Sequence, residues 1–137
     1  MLVCIGNICR SPMAEVMLKN QYPQLTVYSS GLGALVGKPA DPFSVELMAE
    51  KGIDLTNHCA QQINSVLVSS SDLILVMEQK HISKLHSQYP ESRGKVHLIG
   101  KWIDSQEVPD PYRKDKKAFI HSLEIIEAGL ESWKNKL

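Results

Sequence analysis

Leu2-Val3-Cys4-Ile5-Gly6-Asn7-Ile8-Cys9-Arg10-Ser11-Pro12 runs from an apolar pair through a cysteine and an arginine six positions apart to a Ser-Pro pair. Leu2-Val3 leading into Cys4 reads as a buried strand entering a functional turn. That strand is short: either it begins abruptly at the terminus, or residues of the natural protein precede Met1. Ser11-Pro12 reads as helix N-cap and first helical residue, with Met13, Val16 and Met17 at helical spacing. Five residues between Cys4 and Arg10 are enough for the backbone to curl until successive N–H groups converge on one point, a nest for an anion strengthened by the helix dipole behind it. Gly6 and Asn7 suit such a curl because both tolerate left-handed backbone.

Outward from this turn, strands and helices alternate. Leu25 to Ser30 is expected as a second strand, followed by a Gly-rich loop from Gly31 to Gly37. Asp41-Pro42 repeats the cap-and-proline start; Val45, Met48 and Ala49 are expected inside, and Gly52 ends the helix. Leu73 to Met77 is a continuous apolar run, the pattern of a parallel strand covered on both faces. A helix over about Gln79 to Gln88 and a strand over Val96 to Ile99 follow. Asp115 is placed to cap a last helix whose stripe is Phe119, Leu123, Ile126, Leu130, Trp133 and Leu137. The pattern predicts one α/β domain over residues 1–137, a three-layer, four-stranded parallel sheet with helices on both faces. Ligands bind such sheets at the carboxyl ends of the strands, where the Cys4 to Ser11 turn lies.

Composition excludes several classes. With 43% hydrophobic and 22% charged residues in 137 positions, the chain is neither disordered nor fibrous, and it is long enough for one core only. The balanced formal charge of +0 argues against nucleic-acid binding. No apolar run reaches the roughly 20 residues of a membrane span and no export signal is recognisable, so a cytoplasmic chain without membrane insertion is expected. The basic group Arg113, Lys114, Lys116 and Lys117 reads as a solvated helix start. Three cysteines do not make a disulfide framework.

The chemistry expected at the turn is phosphoryl transfer. Arg10 offers a planar fork that grips two phosphate oxygens, which lysine cannot imitate. The same positive field favours the thiolate of Cys4, making it a nucleophile at neutral pH. Ser11 has two compatible tasks, capping the helix and hydrogen-bonding the Cys4 sulfur. Because Arg10 and the backbone nest neutralise charge, no metal or other cofactor is required, and His58, His81, His86, His97 and His121 form no ligand motif.

Val3 to Pro12 resembles the signature of the low-molecular-weight protein tyrosine phosphatases. The similarity continues through Ser30-Gly31, Asp41-Pro42, Asp72 to Met77 and Asp110-Pro111-Tyr112, nearly the whole chain. It is closest in character to the bacterial branch acting on tyrosine autokinases of capsule and exopolysaccharide export. The resemblance implies hydrolysis of phosphotyrosine through a cysteinyl-phosphate, with catalytic Cys4, Arg10 and Asp110. It implies substrate contacts by Ile5, Gly6, Asn7, Ile8, Cys9, Ser11, Leu35 and Tyr112, and support of Asn7 by Ser30 and His58. A phosphotyrosine protein, in that branch a tyrosine autokinase, is the implied partner of a monomeric enzyme. Asp110 is flanked by Pro109 and Pro111, which stiffen its loop; it would protonate the phenolate leaving group and then activate water.

Two departures from the family stand out. Eukaryotic members usually carry an aromatic residue in the Gly31 to Pro39 loop, where this chain has Leu32, Leu35 and Val36. Gln61 stands where arginine is frequent, whereas Arg113 agrees with the bacterial branch and could favour acidic peptides. Cys9 lies close enough to Cys4 for a protective disulfide. The alternatives are an arsenate reductase, disfavoured because only Cys59 remains for a thiol relay, and a phosphotyrosine-binding module without turnover, disfavoured by the joint presence of Cys4, Arg10 and Asp110.

Overall fold

The computed structural model describes all residues 1–137. Four short parallel strands, β1 (Leu2–Cys4), β2 (Ser29–Gly31), β3 (Ile74–Val76) and β4 (Val96–Leu98), form one sheet in the order β2-β1-β3-β4. Val3 stands opposite Ser30 on one side and Val76 on the other. The helices are α1 (Arg10–Gln21), α2 (Pro42–Glu50), α3 (Ser65–Ser70), α4 (Gln79–Gln88) and α5 (Lys116–Ser132).

Alternation along the strands divides the apolar residues into two cores, as a sheet covered on both faces requires. Leu2, Cys4, Leu75 and Met77 face Met13, Leu47, Met48, Phe119, Leu123, Ile126 and Leu130 of α1, α2 and α5. Val3, Ile74, Val76 and Leu98 face Val68 of α3 and Leu85 of α4. The three layers and the parallel sheet are those expected from the sequence.

Particular residues differ. Strand β2 begins at Ser29, because the preceding Val27 packs into the first core without entering the ladder. Asp41 caps α2 by accepting from Phe43 N–H, but the buried face is Ser44, Leu47 and Met48; Val45 is only partly buried and Ala49 is exposed. Helix α3, six residues capped by Asn64, is too short to declare a period and was not expected. Asp115 caps α5 as expected, and its apolar stripe is buried through Trp133, while Leu137 lies beyond the helix end and is 42% exposed. Gly52 ends α2 with φ +74.

With β1 central in the order β2-β1-β3-β4, the connections from it diverge to opposite sides, leaving a crevice at the carboxyl end of β1. The Cys4 to Arg10 turn fills that crevice, and α1 begins at Arg10 itself.

Candidate active site

The turn after β1 is curled by tying its carbonyls outward. Leu32 N–H donates to Cys4 O, Gly33 N–H to Ile5 O, Leu35 N–H to Gly6 O and Asp41 N–H to Ile8 O, all at 2.8–3.0 Å. Ser44 Oγ donates to Cys9 O, and His58 Nε2 lies 2.6 Å from Asn7 O. Six consecutive carbonyls are thus satisfied on the outside of the curl. The N–H groups of Ile5 to Cys9 donate to no acceptor in the chain. Backbone amides in a folded chain are seldom left so, and five in succession on one curl can receive an anion. Asn7 supplies the left-handed residue of the curl at φ 59, whereas Gly6 keeps a negative φ.

Behind the turn runs a buried chain of side-chain hydrogen bonds whose direction can be worked out. Asn7 Oδ1 accepts from Gln61 N–H, which fixes the amide with its NH₂ toward Ser11 Oγ at 2.8 Å and Ser29 Oγ at 2.9 Å. Both hydroxyls therefore accept from Asn7 and must send their own protons onward. Ser29 sends its proton to Glu15 Oε1, and Ser11 directs its proton to Cys4 Sγ at 2.9 Å.

The serine supporting Asn7 is Ser29, not Ser30 as the resemblance implied. Neighbouring strand residues point to opposite faces, and Ser30 Oγ instead donates to Met1 Sδ. His58 meets Asn7 as expected, through the backbone oxygen. Ser11 is not the N-cap: Cys9 occupies that position, and the Ser11 hydroxyl is committed to Cys4. The side chains of Asn7 and Ser11, expected at the substrate, are fully buried and lie behind the sulfur. Gln61 joins this support twice, since its Nε2 also donates to Ser29 O.

Arg10 is 1% exposed and held from one edge. Its Nη1 donates to Glu78 Oε2 and to Val108 O, both at 2.8 Å, while Nε has no protein partner. Nη2 lies 3.7 Å from Asp110 Oδ2. An Nε and Nη2 edge free of tight partners leaves a planar fork able to grip two oxygens of an anion. Partial burial opposes the charge of Glu78, but its hydrogen bond to Arg10 and the surrounding positive charges together hold its carboxyl below the ordinary value. Glu78 and Val108 carried no signal in the sequence, because only the fold brings them to Arg10.

Asp110 sits on a braced loop. Val108 N–H donates to Met77 O, Ser122 Oγ donates to Pro109 O, and Asp110 Oδ1 accepts from Tyr112 N–H. Its carboxylate is 46% exposed and looks across the cleft toward Arg10. Burial, then the charge of Asp41, pushes the Cys9 thiol up, so it stays protonated. All three cysteines are free.

These groups surround a cleft of about 140 Å³ lined by Cys4, Ile5, Gly6, Ile8, Cys9, Arg10, Gly33, Leu35, Asp110 and Tyr112. Gly33 was not expected there. Leu35 and Tyr112, each 38% exposed, form facing apolar walls. Arg113 lies 5.2 Å over the Tyr112 ring, so it stacks on the cleft wall and is no mere solvated charge. Lys116, from the same basic group, bridges Glu46 and Glu50.

The whole of residues 1–137 matches the family model of the low molecular weight phosphotyrosine protein phosphatases. The chain belongs to that family. It is 47% identical over 137 residues to the low molecular weight protein-tyrosine-phosphatase Wzb of Escherichia coli K12, covering 100% of this chain and 93% of the relative. The probable low molecular weight protein-tyrosine-phosphatase EpsP of Ralstonia nicotianae is 47% identical over 133 residues, 97% of this chain and 91% of the relative. Among solved structures, Vibrio vulnificus Wzb in complex with benzylphosphonate superposes with a TM-score of 0.95 at 46% identity, covering 99% of this chain and 96% of that one. A protein-tyrosine-phosphatase activity and a low-molecular-weight phosphatase fold follow for this chain. No helix is long and apolar enough to cross a membrane.

Proposed function

We propose that the phosphatase works through a cysteinyl-phosphate, with Cys4 as nucleophile, Arg10 as phosphate clamp and Asp110 as proton donor. The observation that carries this is the curl itself: six carbonyls bound outward, the amides of Ile5 to Cys9 unclaimed, and the Arg10 fork beside the Cys4 sulfur. A phosphate dianion held there presents phosphorus to Cys4. The sulfur attacks, the bond to the phenolic oxygen breaks, and Asp110 delivers a proton to that oxygen. Asp110 then takes a proton from water, whose oxygen attacks phosphorus; the P–S bond breaks and Cys4 leaves as a thiolate that Ser11 stabilises. The Ile5, Ile8, Leu35 and Tyr112 walls suit an aryl ring, whereas a phosphoserine side chain would leave their apolar surface uncovered.

The physiological partner in this reading is a phosphotyrosine protein, a bacterial tyrosine autokinase of capsule or exopolysaccharide export, met by a monomeric enzyme in the cytoplasm. Reversible Cys4–Cys9 disulfide formation under peroxide belongs to the same reading. If it protects, Cys9→Ser loses the recovery by thiols that the wild type shows; equal recovery removes it.

The test is turnover of phosphotyrosine and phosphoserine peptides by wild type, Cys4→Ser and Asp110→Asn, with rapid acid quench to trap phosphoenzyme. Phosphotyrosine is hydrolysed in preference, Cys4→Ser does not turn over, and Asp110→Asn loses roughly 10²- to 10⁴-fold, less for acidic leaving groups. An active Cys4→Ser, or a loss in Asp110→Asn that ignores the leaving group, refutes the assignment. Dephosphorylation of a purified, autophosphorylated bacterial tyrosine autokinase domain tests the partner.

A further inference from the structure

His81, the third residue of α4, is 1% exposed and has no place in the chemistry above. Its Nδ1 accepts from Glu78 N–H at 3.3 Å. Its Nε2 lies 3.3 Å from Glu78 Oε2, the oxygen that receives Arg10 Nη1, and it has no aligned hydrogen-bond partner of its own. We infer that His81 is a positioning residue for the phosphate clamp, acting on Arg10 through Glu78.

The tautomer follows from the geometry. With Nδ1 engaged as an acceptor, the single proton of a neutral ring sits on Nε2, which lies 3.3 Å from Oε2 without being aligned on it. Burial, and then the Arg10 charge, lowers the His81 pKa to about 4, so the ring is neutral where the enzyme works. Neutrality matters here. An imidazolium would compete with Arg10 for the carboxylate, whereas a neutral N–H dipole steers Oε2 and leaves the negative charge to Arg10. Steering is needed because Glu78 has three side-chain torsions, is 18% exposed, and has Lys80 Nζ 3.6 Å from its other oxygen. If Lys80 drew the carboxylate outward, Arg10 Nη1 would keep only Val108 O, and the guanidinium could tilt away from the phosphate. The charged groups facing His81 are therefore Arg10, Glu78, Lys80 and, more distantly, Asp110.

The inference rests on Arg10 being the phosphate clamp, and the test separates the two. His81→Asn retains an acceptor where Nδ1 lies but cannot reach Oε2; His81→Gln places an amide donor near Nε2. Each is assayed with p-nitrophenyl phosphate and for inhibition by inorganic phosphate, alone and combined with Glu78→Ala, with thermal melting to monitor the fold. The asparagine variant loses about tenfold in kcat/KM and in phosphate affinity, the glutamine variant recovers to within about threefold, and neither changes anything further in Glu78→Ala. Full additivity with Glu78→Ala, or unchanged phosphate affinity in His81→Asn, overturns the inference. If Arg10→Lys retains phosphate affinity, the clamp assignment itself fails; if only the histidine variants are silent, it stands without His81. A measurement on the unaltered protein guards against variants that do not fold. Long-range ¹⁵N–¹H spectra at pH 6 should show a neutral His81 ring protonated at Nε2, with its signals moving on phosphate addition; an Nδ1-protonated or cationic ring, or signals indifferent to phosphate, overturns the proposal.

Discussion

Replacing Ser11 by alanine removes one hydroxyl with two separable consequences. The hydroxyl stands 2.9 Å from Cys4 Sγ and 2.8 Å from Asn7 Nδ2, and Asn7 is fully buried. Because Asn7 donates into it, the Ser11 proton is available only to the sulfur, and a hydrogen bond to a charged group is worth about 1.5–3 kcal/mol. That corresponds to roughly a 10- to 150-fold loss in the step where Cys4 must depart as a thiolate. In the proposed mechanism this is hydrolysis of the cysteinyl-phosphate, so the variant should accumulate phosphoenzyme. Stopped-flow measurements with p-nitrophenyl phosphate should show a burst of nitrophenolate near the enzyme concentration, followed by slow turnover. Separately, one buried Asn7 N–H loses its acceptor, at about 1–3 kcal/mol of stability, or a melting point lower by roughly 3–10 °C. Slow turnover without a burst, or turnover equal to wild type in a folded variant, would refute the directed chain from Asn7 through Ser11 to Cys4.

Other perturbations probe the frame. A Cβ at Gly31 would lie 2.3 Å from Ile5 O and 3.1 Å from Asn7 N, both backbone atoms of the curl. Gly31→Ala should therefore cost about 1–3 kcal/mol in urea unfolding and lower activity by more than about tenfold; a variant with wild-type stability and activity would show the curl to be pliable. The His81 pKa is about 4 in the folded protein against 6.5 unfolded, so between these values the unfolded chain binds the extra proton. Stability from this group is complete above pH 6.5 and falls as the pH drops to 4, by about 3 kcal/mol in all. Urea midpoints at pH 7 and pH 4.5 should differ by less in His81→Gln than in the wild type; an equal difference would assign the acid sensitivity to other groups.

Much of this protein is determined by signals within a few residues of one another. The Cys4 to Arg10 spacing, the Asp41 and Asp115 caps and the stripe from Phe119 to Trp133 act through one turn of backbone or one helix face, so neighbours in sequence suffice to read them. Tertiary structure decided what depends on parity and on long-range approach. A shift of one residue in a strand exchanges its faces, and so Ser29 rather than Ser30 meets Asn7. Ser11-Pro12 is a local cap signal, yet α1 starts at Arg10, which puts Ser11 inside the first turn with its hydroxyl on the Cys4 sulfur. Glu78 and Val108 stand 68 and 98 positions from the arginine they hold, and His81 reaches it only through Glu78. No local pattern encodes such pairings, because they exist only once the parallel strands have brought the end of β3 and the loop beyond β4 alongside the turn after β1.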